Sequence, residues 1–479
     1  MVQKREQEGR MSVRIGKSAA GRASGRRLLA AFLLLAPAAA WVVTAQSEQD
    51  TSAQNLLGPF VNPTGLAQSF STTGPVDTDN PFFQSLGTNG RACITCHQPS
   101  TGWTIAPAEV RNRFEKTGGL DPIFRTNDGS NSPHADVTTV AARRSAYSML
   151  LNKGLIRVGI GIPAGAEFTL ESVDDPYGFA SASELSLFRR PLPSTNLAFL
   201  STVMWDGRET FPGKSIAFDL MDQANGATLG HAQASLPLTT QEREQILAFE
   251  TALFTAQIYD VAAGDLGAKK ARGGPKVLSE QDFYIGINDP LGQNPKGIPF
   301  SPIIFTDFDA WRNLENDDDG RNAARMAVAR GEELLNSRRI DITGVKGLND
   351  ELSVASIPGT CGTCHDTPNV GNHSVKAPLD IGLTDASRRT PDMPLYTLRR
   401  TTGETIQTTD PGRALLTGKW KDIGRFKGPI LRGLAARAPY FHNGSAATLT
   451  DVVQFYNSRF NIGLTDAEVS DLVVFLRSQ

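Results

Sequence analysis

Cysteine is scarce in this chain, with only four among 479 residues. All four belong to two Cys-x-x-Cys-His motifs, Cys93–His97 and Cys361–His365. No cysteine is left over for a disulfide, which excludes a disulfide-stapled fold. A zinc site built from all four thiolates would leave the histidine of each motif without a role. The scarcity therefore points to a chemistry that uses the whole five-residue motif.

The Cys-x-x-Cys-His motif is typical of covalent haem attachment. The two thiols form thioethers with the vinyl groups of the porphyrin, and the adjacent histidine ligates the iron from one face. Two copies that use every cysteine predict two covalently bound haem c groups. The predicted attachment residues are Cys93, Cys96, Cys361 and Cys364, and the predicted proximal iron ligands are His97 and His365.

Long hydrophobic runs are also rare, and the run from Leu28 to Val43 at the amino terminus has the features of an export signal. Basic residues precede it and Val43-Thr44-Ala45 offers a small-residue cleavage site, which predicts a secretory signal peptide over 1–45. An uncleaved anchor is the alternative, but the run is short and wrongly flanked for a membrane span. Because haem c is attached after export, we expect a periplasmic protein with no stable membrane span after signal cleavage.

An excess of positive charge is absent from the rest of the chain. Eight of the 48 basic and two of the 50 acidic residues lie in 1–45, which leaves 40 basic and 48 acidic residues, a net charge of −8. No basic tract indicates binding to nucleic acid. A mildly acidic surface suits docking to a basic redox protein. We therefore expect a small redox protein, a cytochrome c or a cupredoxin, as electron donor.

The distribution of turn-forming residues suggests the domain organisation. Residues 46–80 are rich in Ser, Thr, Gly, Pro and Asn and predict an extended lead-in. The length allows two or three domains. We expect an N-terminal haem domain over 81–310, with insertions at 100–190 and 264–300, and a C-terminal haem domain over 311–479.

Helical periodicity is present in three places. It predicts helices over 239–263, with Leu253 and Ile258 on the apolar face, and over about 321–336. A capping box at Thr465 opens a third helix near the end of the chain. A helix before Cys-x-x-Cys-His and another at the end of the unit is the order of a cytochrome c domain. With no sustained strand alternation, the expected fold is mostly α, with two cytochrome c-like haem domains and long irregular loops and insertions.

Two further motifs resemble a known family. Arg437–Ser445, which reads Arg-Ala-Pro-Tyr-Phe-His-Asn-Gly-Ser, and Met204–Arg208, which reads Met-Trp-Asp-Gly-Arg, are similar to motifs of the bacterial dihaem cytochrome c peroxidases, a family that includes MauG. The two haem motifs stand in the family's order, and the resemblance covers most of 80–479, with a poor match over 100–190. It implies that the first haem reacts with H2O2 and that the second passes electrons.

The resemblance also suggests the distal ligand of the second haem. The peroxidases have a methionine fourteen residues after the histidine of the Phe-His pair, here His442, whereas this chain has Tyr456, as MauG-type members do. A tyrosinate favours ferric and higher oxidation states, whereas a thioether favours ferrous iron. Met393, the only methionine after Cys361, is the rival ligand, and an ordinary helix aromatic is the other interpretation of Tyr456. His442 and His373 are poorer candidates.

Two residues of the Trp-Asp-Gly-Arg motif are implied to act near the haems. Trp205 would lie between them as an oxidisable station for electron transfer, with a core tryptophan as the alternative. Arg208 is a candidate partner for a haem propionate, because a guanidinium matches a carboxylate bidentately. A surface ion pair is the alternative for Arg208.

The distal side of the first haem is where the chain departs from the family. Peroxidases place a glutamine there and a glutamate ten residues on; here the glutamine is Gln223, and Gln233 stands ten residues on with His231 beside it. An amide cannot exchange a proton with peroxide, but a histidine can. We therefore expect His231 to replace the acid–base carboxylate. Iron ligation by His231, or by His134, is the alternative.

Calcium is the third cofactor that the resemblance raises. Family members hold it between their domains through an asparagine and backbone carbonyls. Pro439 offers one carbonyl, but the neighbourhood of the asparagine aligns poorly and Arg437 stands where the family often has threonine. The sequence leaves calcium open.

Three functions fit these observations. The first is a cytochrome c peroxidase that reduces H2O2 with electrons entering through the second haem. The second is a MauG-like oxidase of a protein or organic substrate, favoured by Tyr456 and by the missing glutamate. The third is a plain dihaem electron carrier, which requires both irons to be inert to small ligands. We expect a peroxide-dependent oxidoreductase, because the chain resembles a family whose first haem reacts with peroxide.

Overall fold

A computed structural model describes residues 55–315 and 320–479, so the predicted signal peptide lies outside the described residues. Residues 55–479 form one compact unit. Its described part contains ten α-helices and eleven β-strands. None of these helices is long and apolar enough to cross a membrane.

Helices and strands alternate irregularly along the chain. The helices are α1 Pro107–Thr117, α2 Val140–Ala146, α3 Ser148–Lys153, α4 Ile216–Gly230, α5 Thr240–Ala252, α6 Pro275–Leu278, α7 Arg321–Ser337, α8 Ala414–Thr417, α9 Leu449–Arg459 and α10 Asp466–Arg477. The strands are β1 Phe60–Asn62, β2 Gly65–Ser71, β3 Ile156–Ile160, β4 Phe168–Asp174, β5 Leu185–Arg189, β6 Leu253–Asp260, β7 Gly264–Asp265, β8 Ile340–Thr343, β9 Ser356–Gly359, β10 Leu395–Arg400 and β11 Thr405–Thr408.

The helices expected near the second motif are confirmed. Helix α7 begins at Arg321 as predicted, and α10 is opened by the predicted capping box, in which the Thr465 side chain accepts from the backbone N–H of Glu468. The apolar faces of α7, α9 and α10 meet in one core around Phe475. This core also takes in Phe305 and Phe308, so it draws on residues before 311. The domain boundary at 310 stays a prediction.

The predicted helix over 239–263 is wrong in its second half. Helix α5 ends at Ala252 and the chain continues directly into β6, so Leu253 and Ile258 lie in a strand. Strand β6 pairs with β2, which lies within the stretch predicted as an extended lead-in. Pairing between segments almost two hundred residues apart overrides a local helical pattern.

The expectation of a mostly α fold also needs correction. The strands form four antiparallel sheets with the orders β1-β2-β6-β7, β11-β10-β4, β3-β5 and β8-β9. The supposed loop insertion at 100–190 contains α1 to α3 and β3 to β5. Strands of two to eight residues are too short to show sustained alternation, and β2 and β4 pair with strands that are distant in sequence. The strands were therefore invisible to a search for periodicity.

The contact between α7 and α10 depends on Gly331. A Cβ atom on Gly331 would lie 2.0 Å from the backbone oxygen of Asp471 in α10. We expect Gly331→Ala to lower the free energy of unfolding by about 1–3 kcal/mol through overpacking, although alanine favours a helix by about 1 kcal/mol over glycine. Gly230→Ala, in α4 with nothing within 4 Å of the added atom, is the matched control. Denaturant unfolding followed by circular dichroism measures both; equal stability of the two variants would contradict the packing argument.

Candidate haem sites and the wall between them

The first Cys-x-x-Cys-His motif presents its histidine to a cavity. Residues Cys93–Thr95 form a 3-10 turn, and His97 follows. Its Nδ1 lies 3.0 Å from the carbonyl oxygen of Trp103 and 2.9 Å from Oγ of Ser194. Burial lowers the pKa of His97 to about 4, so the ring is neutral. A neutral imidazole whose Nδ1 is held by acceptors keeps Nε2 for a metal.

The cavity beside this motif has an empty volume of about 1440 Å³, which includes open solvent at its mouth. Its wall combines the attachment residues with polar side chains from distant parts of the chain. The lining residues include Cys93, Cys96, His97, Gln223, His231, Glu250, Lys427 and Arg437.

Helix α4 supplies the polar wall that sequence reasoning assigned to the distal side. Gln223 and His231 are eight residues apart, and with Ala227 between them they share one helix face and line the cavity. Gln233 does not line it. Helix α4 ends at Gly230, and Gln233 adopts a left-handed φ of 56°. Its backbone oxygen accepts from Thr88 Oγ1 at 2.8 Å.

A carboxylate fixes the ring of His231. Nδ1 of His231 lies 2.5 Å from Oδ2 of Asp128, and Oδ1 of Asp128 accepts from Nη1 of Arg91, also at 2.5 Å. Burial opposes ionisation of Asp128, but the contacts with His231 and Arg91 hold its pKa below the usual value. Asp128 therefore stays a carboxylate and receives the Nδ1 proton. This leaves Nε2 of His231 as the nitrogen that can exchange a proton with a ligand.

Sequence reasoning missed Glu250 on the same cavity wall. It lies in α5, is only 5% exposed, and its Oε2 has no hydrogen-bond partner within the described residues. Burial raises its pKa to about 7, against a hydrogen bond from Ser194. Ser194 in turn contacts His97, so the carboxyl is connected to His97 through one hydroxyl. A glutamate in an amphipathic helix normally faces solvent, and the sequence carries no sign of this burial.

The second motif has the same local design. Cys361–Thr363 form a 3-10 turn, and Nδ1 of His365 lies 2.6 Å from the carbonyl oxygen of Gly371. The adjacent cavity has an empty volume of about 1910 Å³, which includes open solvent at its mouth, and Tyr456 lines it. The rings of His365 and Tyr456 are 6.4 Å apart between centroids and nearly perpendicular. Burial raises the pKa of Tyr456, so only a nearby cation would make it a tyrosinate.

The rival ligands for the second haem are less well placed. Met393 packs with Met149, Leu155 and Phe188 in a separate apolar cluster and does not line the cavity. His442 does line it, stacked on Phe426 at 4.0 Å between centroids.

The other two histidines have partners of their own. His373 also lines the second cavity, but its Nδ1 lies 3.1 Å from Oδ2 of Asp366. His134 contacts Phe179 edge-on and lies in the wall of neither cavity.

The two cavities share a wall, which we call the shared wall. It consists of Pro191, Leu192, Pro193, Lys427, Pro429, Ile430 and Arg437, which line both cavities. Trp205 lines only the second cavity, but it forms hydrogen bonds with Arg190 and with Lys427 of the shared wall. Its Nε1 donates to the carbonyl oxygen of Arg190 at 2.8 Å, and its own carbonyl oxygen accepts from the backbone N–H of Lys427 at 2.8 Å.

Two basic residues of the shared wall, Lys427 and Arg437, have the charge needed to bind the propionates of haem. Lys427 and Arg437 are half-buried, and neither has a carboxylate partner within the described residues. Lys427 Nζ donates to the carbonyl oxygen of Thr202, and the Arg437 guanidinium donates to backbone carbonyl oxygens of residues 430–433. Burial lowers the pKa of Lys427 to about 8 and that of Arg437 to about 10. A buried cation is stabilised by an adjacent anion. Haem propionates are anions of this kind, and both residues face both cavities.

The predicted propionate partner, Arg208, is placed differently. It lies in neither wall and pairs with Asp206, 3.2 Å from its Nη1, which also binds Arg189. This position agrees better with the alternative interpretation of Arg208 as part of an ion pair than with a propionate partner. Lys427 was missed because an isolated lysine gives no signal in the sequence.

Comparison with known proteins supports the haem assignment. A family model described as RoxA-like, cytochrome c-like matches residues 425–461. Cytochrome-c peroxidase IdrP1 of Denitromonas iodatirespirans is 40% identical over 80 residues, 14% of this chain and 21% of that protein. IdrP2 of the same organism is 30% identical over 141 residues, 27% and 38% of the two chains. The resemblance to the cytochrome c peroxidase and MauG family is confirmed.

The family relationship supports a covalently bound haem c, while the number of haems rests on the two motifs. Cytochrome c551 peroxidase of Nitrosomonas europaea is 39% identical over 75 residues, 15% of this chain and 22% of that protein. The chain thus spans about a fifth to two fifths of the curated relatives it matches. A crystal structure of a MauG-like protein associated with microbial copper homeostasis aligns over 88% of this chain and 93% of that chain, with a TM-score of 0.37 and 14% identity.

Proposed function

We propose that this protein is a periplasmic dihaem oxidoreductase of the cytochrome c peroxidase type. It reduces H2O2 at the N-terminal haem, with electrons relayed through the C-terminal haem. Each turnover combines one H2O2 with two electrons and two protons and yields two water molecules. The observation that carries the proposal is the Asp128–His231 pair in the wall of the cavity that contains His97.

The chain's own residues supply proton transfer. When bound, haem provides an iron that takes a peroxide oxygen and accepts and donates electrons. His231 takes a proton from one peroxide oxygen at Nε2 and returns it to the other, as O–O cleavage requires. Asp128 fixes the tautomer that leaves Nε2 free, in the way a carboxylate orients a catalytic histidine. The side chain of His231 is 42% exposed, so it can exchange protons with solvent.

Electron supply runs through the second cavity. A small redox protein, a cytochrome c or a cupredoxin, is the proposed donor. Trp205 is the proposed station between the haems, because its indole lines the second cavity and is hydrogen-bonded to Arg190. With haem bound, Lys427 and Arg437 would offset the negative charge of propionates at the shared wall.

A second candidate function is favoured by Tyr456. A MauG-like oxidase would deliver the oxidising equivalents of peroxide to a protein or organic substrate. An oxygen ligand from Tyr456 would hold the second haem in its oxidised forms. Tyr456 lines the second cavity whereas Met393 does not, which supports this alternative.

Stopped-flow absorbance of the haem-loaded protein tests the proposal. After one equivalent of H2O2 we expect rapid loss of the ferric spectrum, followed by many turnovers of an added reduced cytochrome c. A long-lived oxidised species that ignores the cytochrome would favour the MauG-like oxidase. No reaction in either the ferric or the half-reduced state would leave the plain electron carrier. The variant Cys93→Ser with Cys96→Ser is the control, and it should lose the reaction while the second haem keeps its spectrum.

A further inference from the structure

A buried arginine next to the shared wall holds four backbone carbonyls. Nη1 of Arg190 donates to the carbonyl oxygens of Lys153 at 3.0 Å and Gly154 at 3.4 Å. Nη2 donates to those of Ile105 at 2.8 Å and Arg437 at 3.0 Å. The residue is 5% exposed, and no carboxylate pairs with it in the described parts of the chain. The guanidinium is therefore balanced by carbonyl dipoles alone.

The backbone of Arg190 joins the same regions. Its N–H donates to the carbonyl oxygen of His442 at 2.6 Å, and its carbonyl oxygen accepts from Nε1 of Trp205. Side chain and backbone together connect the segment after the first haem motif, the end of α3 and residues 437–442. This single residue organises the junction at which the two halves of the chain meet.

The carbonyl cluster consists of the kind of oxygen atom that binds calcium. Calcium takes six to eight oxygen ligands, including backbone carbonyls, and tolerates irregular geometry. The resemblance places calcium between the domains, with the carbonyl of Pro439 as one ligand, and Arg437 stands two residues earlier in the same segment. Here the carbonyl of Arg437 already accepts from Arg190. A divalent cation at this cluster would meet the positive guanidinium without a carboxylate to offset the repulsion, so calcium does not fit.

The backbone next to the guanidinium of Arg190 leaves room for it only because residue 154 is a glycine. A Cβ atom on Gly154 would lie 2.1 Å from Nη1 of Arg190, and Gly154 has a φ of +61°, so a glycine is needed there. Gly154 and Lys153 end α3, where carbonyls lack intrahelical partners and favour a cation. Arg190 supplies that cation.

We propose that Arg190 is a built-in cation that takes the structural place of the calcium ion expected from the family, so that this junction holds its shape without metal. The guanidinium binds several carbonyls at once, as the metal would, but it cannot dissociate. Burial and the nearby charge of Arg437 lower the pKa of Arg190 to about 9, which still leaves it charged at neutral pH. The protein is then active and stable in media that contain no calcium.

Thermal unfolding of the haem-loaded chain tests this, in EGTA and in millimolar CaCl2, with the haem spectrum as a second readout. We expect the same melting temperature and spectrum for the wild type in both media. Arg190→Ala should melt about 4 °C lower or more in EGTA, because four carbonyls lose their partner, and should recover part of that loss in CaCl2. Arg190→Lys should lie in between and ignore calcium, since its ammonium keeps the charge with fewer donors.

Arg111→Ala is the matched control, because Arg111 donates to a single carbonyl of α3, that of Leu151. This variant should have a slightly lower melting temperature than the wild type, and calcium should not change that temperature. The chain also has three consecutive aspartates, Asp317, Asp318 and Asp319, which could bind calcium independently of Arg190. Stabilisation of the wild type by calcium that persists when these three residues are replaced by asparagine would overturn the proposal. An Arg190→Ala variant as stable as the wild type in EGTA would do so too. If the loss of melting temperature in Arg190→Ala is restored neither by CaCl2 nor by lysine at this position, Arg190 has a packing role instead. Restoration by either one supports the role of Arg190 as a structural cation.

Discussion

Replacing His231 by alanine is expected to slow peroxide-driven oxidation of the first haem by about 10²–10⁴-fold, the usual contribution of a positioned acid–base group. The reason is the geometry of the cavity wall. Asp128 holds Nδ1 of His231, so Nε2 is left to move the proton between the two peroxide oxygens. Single-mixing stopped-flow absorbance with H2O2 in excess measures the rate constant.

Gln233→Ala is the matched control, because Gln233 lies outside the cavity wall only two residues from His231. It should react at the wild-type rate. Cyanide binding by both variants should also be close to wild type, which would show that the haem pocket is intact. A His231→Ala variant with an unchanged rate constant would exclude proton transfer by this residue. Loss of a low-spin ferric signal in the same variant would instead identify His231 as an iron ligand.

Asp128 acts through His231 and is a positioning residue. Asp128→Asn should slow the same step and change its pH profile, whereas a purely structural role would change stability and leave the profile alone. Because Arg91 loses its carboxylate partner in this variant, thermal unfolding must be measured alongside. A reduced rate constant with the wild-type pH profile would contradict the orienting role.

The parts of the site that the sequence predicted are those encoded locally. Cys93–His97 and Cys361–His365 each form a tight turn within five residues, and their chemistry is visible in the letters alone. The capping box at Thr465 is equally local. His231 was found because the spacing from Gln223 could be compared with a known motif. The counted position itself holds Gln233, which follows the end of the helix at Gly230 and does not line the cavity.

What the sequence did not reveal depends on burial and on distant pairing. Arg190, Lys427 and Glu250 are charged residues in unremarkable surroundings, and only the fold removes them from solvent. The same holds for β6, whose residues continue a helical pattern until pairing with β2 makes them a strand. The residues that bury these side chains or pair with β6 are distant in sequence, so a short stretch of sequence does not contain them.

Replacing Tyr456 by methionine is expected to raise the reduction potential of the second haem by a large part of the ~0.8 V range that axial ligands span. An anionic oxygen stabilises ferric iron, whereas a thioether stabilises ferrous iron. Spectroelectrochemical titration of the haem-loaded protein measures the change. The variant should also accept electrons from a reduced cytochrome c more readily than the wild type does.

Met393→Leu separates the two ligand assignments, because Met393 packs among apolar side chains away from the second cavity. It should leave the potential and spectrum of the second haem unchanged, while Tyr456→Phe should remove the oxygen ligand and open the iron to small ligands. A potential that responds to Met393→Leu and ignores Tyr456→Met would identify the methionine as ligand. The result also bears on function. One outcome would be a low reduction potential of the second haem in the wild type and a potential in the range of cytochromes c in Tyr456→Met. This outcome would mean that Tyr456 disfavours electron uptake from a carrier protein. The oxidising equivalents of peroxide would then be kept for another substrate.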